Sequence, residues 1–315
     1  MVINKIKYNL IKKFLFKLSA CLLVVFIVDF MIGTLLKKYY FKQKYGYDAM
    51  TTYCIEKANA KMLVFGSSRA MDIFDPDIFE KKMGVSCYNV GRVGEPVFYH
   101  YAILQCVLKR YKPNMVILSF DAGNFSKNQD SYDRITALLP YYSDHPEIRS
   151  VVNLKGPYER LKLLSHIYPY NSLVLPIISS SSAQSKIKYM HNNGFIPLNK
   201  TFTGPLPTFD YSAETEMDTV KINIYKAFIE QCIKSGIQLY IACPPYMIHS
   251  IGTDQSIIIA KNIAKEYRIN FFDYSRDNFF INKPELFADF RHLNKTGAEL
   301  FCNMIVDQIN QKYPQ

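Results

Sequence analysis

The sequence predicts an α/β fold: a three-layer, doubly wound, mostly parallel sheet of five strands, with an N-terminal transmembrane helix and a long insertion. Three observations predict it. Short β-prone apolar runs recur at 61–65, 87–91, 115–120, 237–242 and 270–274. Helix-compatible stretches lie between them, and strand and helix alternating in this way give a parallel sheet covered on both faces. Ahead of them all, Leu18 to Leu36 is an almost unbroken apolar run of about 19 residues, close to a bilayer's hydrocarbon core at 1.5 Å per residue.

Composition and charge narrow the function classes. Hydrophobic residues make up 49% of the 315, which is ample for a packed core and argues against disorder. The net charge of +11 would suit a nucleic-acid partner, but +8 of it sits in residues 1–44, as nine lysines against Asp29 alone. The +3 that remains is ordinary for a globular domain, so no nucleic-acid partner is expected. The seven cysteines show no C-x-x-C pair and no metal-ligand spacing, and buried free thiols are expected.

The N-terminal segment divides into a basic cytoplasmic tail (1–17), an uncleaved signal anchor (18–36) and a polar, aromatic-rich stalk (37–60). Leu18-Ser19-Ala20-Cys21 looks like a lipoprotein cleavage box, but the apolar stretch follows the cysteine instead of preceding it. Asp29 is the exception inside the span, where a carboxylate costs about 2.5–3.5 kcal/mol on insertion scales. It is either tolerated through tilt, local water or protonation, or it contacts a partner membrane protein.

The domain is expected to run from 61 to 315. Strand Lys61–Phe65 leads to a helix or turn-helix over 72–83, broken near Asp75-Pro76-Asp77. A strand at 87–91 precedes a half-buried helix over 96–111, and Met115–Phe120 is the third strand. Residues 126–213 break the rhythm with eight prolines and many tyrosines, which suggests a lid or binding element. A helix is expected near 158–163 and a flexible connector at the serine run 179–182. Alternation then resumes: Met217, Val220, Ile224, Phe228 and Cys232 fall at helical spacing, and Gly236 stops that helix. Strands at 237–242 and 270–274 flank a helix over 256–267. Asn294 can cap a last helix that turns Phe301, Ile305 and Ile309 to the core.

Two stretches carry chemistry. Met62-Leu63-Val64-Phe65 ends abruptly in Gly66-Ser67-Ser68-Arg69, as when a buried strand delivers a nucleophile to a strand-to-helix turn. Far downstream comes Asp289-Phe290-Arg291-His292-Leu293-Asn294. Ser68, Asp289 and His292 are the residue types acyl transfer needs. The three-residue spacing lets the carboxylate hold the imidazole Nδ1–H and leaves Nε2 to take the serine proton. In a doubly wound sheet both stretches reach the edge formed by the strands' C-terminal ends. Asp289 and His292 lack a third ligand nearby, so neither a metal nor a cofactor is expected. Arg69 either binds a substrate carboxylate or phosphate or, as is expected, salt-bridges Asp72 or Asp75. The other histidines are expected to be structural or exposed.

Together these stretches resemble the SGNH (GDSL-like) hydrolase superfamily, of flavodoxin-like fold. In that family the serine follows the first strand, and an Asp-x-x-His pair, often continuing into Leu-Asn-x-x-Gly, precedes the last helix. Leu293, Asn294 and Gly297 follow that pattern. The resemblance implies an oxyanion hole made of the Ser68 N–H, a glycine N–H after strand two and an asparagine after strand three. Asn89-Val90-Gly91-Arg92-Val93-Gly94 matches the second element, with Gly94 as donor and Gly91 as turn glycine. Asn124 is the third, although Ala122-Gly123-Asn124-Phe125 departs from the usual Gly-x-Asn-Asp. Ser67 likewise stands where the family often has Asp. A Gly-Ser-Ser turn is seen in membrane-anchored relatives, such as the protein that assists D-alanine transfer to cell-wall polymers.

The function expected from this resemblance is serine-dependent acyl transfer on a cell-envelope glycan or polymer, by an enzyme held in the cell membrane with its domain on the extracytoplasmic side. The expected partners are an acylated donor or glycan and a membrane acyltransferase. The alternatives are an esterase that trims envelope glycans, and a non-catalytic SGNH-like domain that binds a glycan or tethers a membrane partner.

Overall fold

The computed structural model describes residues 2–180, 192–212 and 215–312. The strands are β1 (Met62–Phe65), β2 (Cys87–Asn89), β3 (Met115–Ser119), β4 (Thr208–Asp210), β5 (Gln238–Cys243), β6 (His249–Ile251) and β7 (Asn270–Asp273). Five of them form one sheet in the order β2-β1-β3-β5-β7, and β4 pairs with β6 beside it. Every pairing is parallel, and Met62 stands opposite Cys87 on one side and Met115 on the other. The chain winds outward from β1 in both directions, so the strand order reverses between β1 and β3. A crevice opens there at the strands' C-terminal ends.

The helices used below are α1 (Val2–Tyr40), α2 (Tyr47–Glu56), α3 (Ser68–Ile73), α4 (Pro76–Met83), α5 (Val97–Arg110), α6 (Thr219–Lys234), α7 (Gln255–Glu266) and α8 (Lys295–Lys312). Side-chain alternation along the strands sorts the core into two layers. Leu63, Phe65, Val116, Leu118, Leu239 and Ile241 pack under α5, α6 and α7. Met62, Val64, Ile117, Tyr240 and Ala242 pack under α3, α4 and α8. Side-chain caps set several helix starts: Asp75 ahead of Pro76 begins α4, Asp218 begins α6 and Asp254 begins α7. Asn294 Oδ1 accepts the Gly297 N–H at the start of α8, whose Phe301, Ile305 and Ile309 are buried. All seven cysteines are free, and only Cys21 on α1 is exposed.

Residues 37–60, expected as a polar, aromatic-rich stalk, pack against the domain. Tyr40 is buried, with its hydroxyl 3.1 Å from that of Tyr141. Helix α2 buries Thr51, Cys54 and Ile55 in the layer that holds α5, and Arg92 grips Asp48 at 2.9 Å. Tyrosine and threonine read as polar in a composition, yet they bury readily when each hydroxyl finds a partner.

The insertion, expected as a lid or binding element, also packs against the core. Residues 129–179 form a chain of short helices and 3-10 turns, and Ile135, Leu138, Leu139, Tyr141, Ile148 and Val152 extend the α5 layer. The helix expected near 158–163 is present as Glu159–Lys162. His145 lies between Glu147 (3.0 Å) and Glu56 (2.8 Å), stapling the insertion to α2. Ligand atoms of Cys106, His145 and Glu147 come within 4.8 Å of one another, a proximity that sequence spacing conceals. The end of the serine run (181–182) and residue 213 lie outside the described residues.

Helix α1 is continuous through 18–36, and over Lys7–Tyr40 it is long and apolar enough to cross a membrane, with a mean hydropathy of 2.4 in its most apolar window. Its Asp29 meets the protein's own insertion. The carboxylate accepts hydrogen bonds from Ser165 Oγ (2.5 Å), the His166 N–H (2.6 Å) and the Ile167 N–H (3.3 Å). One turn on, Gly33 lets the backbone of His166 press against the helix, where a Cβ would collide with it. Asp29, Gly33, Leu36, Lys37 and Tyr40 are the covered positions of this half of the helix, at the three- and four-residue spacing of a single face.

Asp29→Leu removes an acceptor from two backbone donors, each left unsatisfied at about 1–3 kcal/mol. Amide hydrogen exchange at His166 and Ile167 is expected to quicken by roughly tenfold or more, while Asp29→Asn, which keeps an acceptor oxygen, changes it less. Unchanged exchange in Asp29→Leu would show that the carboxylate does not hold this contact.

Candidate active site

The site starts with the turn after β1. Gly66 has φ +147°, and a Cβ there would lie 2.7 Å from the Ser119 side chain and 2.8 Å from Ala70. Only glycine lets the turn pass this close to β3. Ser67 is the N-cap of α3: its Oγ accepts the Arg69 N–H and donates to Asp121 Oδ2. Ser68 is therefore the first residue of the helix, where a backbone N–H has no intrahelical partner.

Ser68 Oγ lies 2.8 Å from His292 Nε2. His292 Nδ1 lies 2.9 and 3.0 Å from the two carboxylate oxygens of Asp289. The backbone N–H groups of Arg291 and His292 donate to Asp289 Oδ1 at 2.8 and 2.9 Å. Burial works to raise the Asp289 pKa, but the bonds from the His292 ring and these two N–H groups outweigh it and hold the carboxyl at about 2. The loop carrying the pair is itself fixed: Asn294 donates to the Glu285 carbonyl at 2.7 Å, and the Met247 N–H donates to the Phe290 carbonyl at 2.9 Å.

Arg69 is 3% exposed and ties the switch point together. Its guanidinium donates to the carbonyls of Pro244 (2.6 Å), Pro245 (2.8 Å) and Arg291 (3.0 Å), and pairs with Asp121 at 3.2 Å. It also lies 3.5 Å from the centre of the Tyr246 ring. The salt bridge expected with Asp72 or Asp75 is thus made with Asp121 instead. Asp75 is committed to capping α4, whereas Asp121 is brought beside Arg69 only by the pairing of β1 with β3.

The loop after β3 is pinned on both sides of Asn124. The Ala122 N–H donates to the Tyr246 hydroxyl (2.8 Å), that of Gly123 to Asp254 (3.0 Å) and that of Phe125 to Ser256 Oγ (3.0 Å). After β2, the Gly91 N–H is taken by Asn89 Oδ1, and the Asn89 amide donates to the carbonyls of Ala70 and Phe74. Gly91 and Asn89 are therefore engaged in holding the turn. Gly94 faces the guanidinium of Arg134, and beside it burial pushes the Glu95 carboxyl up to about 7 despite the nearby Arg92 and Arg134.

Ser68, Gly94, Asn124 and His292 all line one open cavity of about 590 Å³. Asp289 stands behind the imidazole, outside the lining. Phe209 and Tyr211, from the end of the insertion, and Ser126, Asn128 and Asp130, from its start, complete the wall. Sequence reasoning passed over Arg134, Glu95, Lys221 and Asp254. Only Asp254 carried a signal, as an Asp just ahead of a periodic helix.

Residues 10–146 match a family model described as a protein of unknown function (DUF1574). No curated protein matches the chain. Among solved structures, an acetyl xylan esterase is similar at 14% identity with a TM-score of 0.40, covering 79% of this chain and 99% of that chain. The family match takes in β1, β2 and β3 with the turns that hold Ser68, Gly94 and Asn124, and stops short of Asp289 and His292.

Proposed function

We propose that the chain is a membrane-anchored, serine-dependent acyl-transfer enzyme whose nucleophile is Ser68. The observation that carries this reading is the hydrogen-bonded series Ser68–His292–Asp289 at the wall of the cavity. Ser68 Oγ attacks an acyl carbonyl as its proton passes to His292 Nε2, and Asp289 stabilises the imidazolium that forms. The Ser68 N–H, the Gly94 N–H and the Asn124 amide hold the oxyanion. Collapse breaks the ester bond, and the departing alkoxide takes the proton from His292. An acceptor hydroxyl then gives its proton to His292 and attacks the acyl-serine, restoring Ser68.

The acceptor is either water or a sugar hydroxyl of an envelope glycan. We favour the sugar. A catalyst held at the bilayer by α1 gains effective concentration toward membrane-bound donors and lipid-linked glycans. Phe209 and Tyr211 in the cavity wall, stacked at 6.3 Å, offer aromatic faces to sugar rings. The positive-inside tendency of the five lysines before the apolar run, against four after it, favours a cytoplasmic N-terminus and an extracytoplasmic domain.

A fluorophosphonate probe is expected to label the purified protein and to leave Ser68→Ala unlabelled, with His292→Ala reacting far more slowly because the hydroxyl has lost its base. Equal labelling of all three would remove Ser68 from the mechanism. Asn124→Ala is expected to lower kcat by roughly 10²–10³-fold with little change in Tm; an unchanged kcat would assign the third oxyanion donor elsewhere. Acylation of the envelope glycan, measured in cells carrying Ser68→Ala, separates the two acceptors. Transfer to a sugar predicts a loss of acyl groups, whereas a gain would make the protein an esterase.

A further inference from the structure

The insertion carries an apolar surface that neither the core nor the cavity uses. Leu161, Leu164, Leu175 and Ile178 are 65%, 70%, 76% and 71% exposed, and Tyr158 stands beside them at 67%. Leu161 is in the short helix Glu159–Lys162 and Leu164 in the turn after it, Leu175 and Ile178 are in the helix Val174–Ser179, and a 3-10 turn at Tyr168–Leu173 joins the two parts. That turn and the second helix pack against α1, whose outward side chains in the same stretch, Phe30, Met31 and Leu35, are also exposed and apolar. Phe30 meets the segment directly, its ring 5.1 Å from that of His166.

We propose that residues 158–179 are embedded with α1 in the half of the bilayer next to the domain, sinking Leu161, Leu164, Leu175 and Ile178 among lipid acyl chains. This inference rests on the reading of α1 as a membrane span. Only eleven uncharged residues separate Lys17 from Asp29. At 1.5 Å each they cover about 16 Å, roughly half of a ~30 Å hydrocarbon core. The other half must come from the residues between Asp29 and Lys37. That is where the insertion is docked, so whatever depth this part of α1 reaches, the docked segment reaches with it.

The polar chemistry of the segment fits that depth. Backbone donors in hydrocarbon must be satisfied within the protein. Asp29 does so for His166 and Ile167, where the segment leaves helical geometry to turn. Glu159 is 1% exposed, and its carboxylate accepts from Lys162 Nζ and the Tyr168 hydroxyl, each at 2.7 Å. Arg160 and Lys162 are exposed on long side chains that can reach phosphate headgroups, and Tyr158 suits the interface between headgroups and chains. Asp29 is thus the polar seat of the protein's own membrane-embedded element, and no partner protein is needed to account for it. The domain then sits on the bilayer surface at a fixed height instead of swinging on a tether.

The test uses the full chain in nanodiscs of phosphatidylethanolamine and phosphatidylglycerol in equal parts, with an environment-sensitive dye on single cysteines. The native, exposed Cys21 reports on α1. Leu164→Cys and Leu175→Cys, in a Cys21→Ser background, report on the insertion. Phe279→Cys in the same background serves as a control, on the exposed side of the short helix Asn278–Ile281 whose Phe280 belongs to the opposite core layer. All three substituted positions are exposed, so labelling leaves the packing intact. The expected result is blue-shifted emission at Cys21, 164 and 175, quenched by doxyl-labelled acyl chains, with water-like emission at 279. Quenching at Cys21 with water-like emission at 164 and 175 would overturn the proposal while α1 remains a span. Blue-shifted emission at 164 and 175 that acyl-chain quenchers do not reach would overturn it too, by placing those residues against protein. Water-like emission at Cys21 would overturn the membrane reading of α1 and this proposal with it.

Discussion

The site depends on one buried guanidinium. Arg69 follows the candidate nucleophile directly, and its donors reach three separate loops: Asp121 after β3, Pro244 and Pro245 after β5, and Arg291 beside His292. These loops are remote in sequence, and Arg69 joins all three at one point, alongside the pairwise bonds of Ala122 to Tyr246 and of Met247 to Phe290. A planar fork with five donors can satisfy acceptors in several directions at once, which a lysine ammonium on a flexible stem cannot do as well. Removing one partner of a buried ion pair costs about 3–5 kcal/mol, so the loops cannot drift without breaking a costly set of bonds. Arg69 follows Ser68 and holds the carbonyl of Arg291, the residue before His292, next to where Ser68 and His292 meet at 2.8 Å.

A second constraint acts at the other end of the molecule. A carboxylate in an apolar helix is costly unless it is paired, and Asp29 is paired with backbone donors of the insertion. The same face of α1 goes on to bury Tyr40 against Tyr141 and Tyr170. The insertion, which reads in sequence as an interruption of the α/β rhythm, thereby joins the N-terminal helix to the core. Its first and last residues reach the cavity wall, so one segment touches α1, the α5 layer and the candidate site.

The sheet and the helix periods are legible in the amino-acid pattern. Strand runs such as Met62–Phe65 and Met115–Ser119 are apolar throughout because both faces of a parallel sheet are covered, and that pattern is local. Asn294 acts within three residues of itself, so its capping role is legible from the chain alone; the caps Asp75 and Asp254 are equally local but come into view only with the helices they start. Ser68, Asp289 and His292 stand out as candidates because their residue types and flanking turns are local signals. Contacts that depend on strand order and packing appear only once the chain is folded. Asp121, not Asp72 or Asp75, is the partner of Arg69 because β3 lies next to β1. Gly91 is held by Asn89, whose amide reaches the Ala70 and Phe74 carbonyls at α3, while Gly94 and Asn124 line the cavity. Residues 37–60 pack instead of standing free because their hydroxyls find partners more than forty positions away. A hydrogen bond across such a distance leaves no period in the sequence, and therefore nothing for a reading of periods to find.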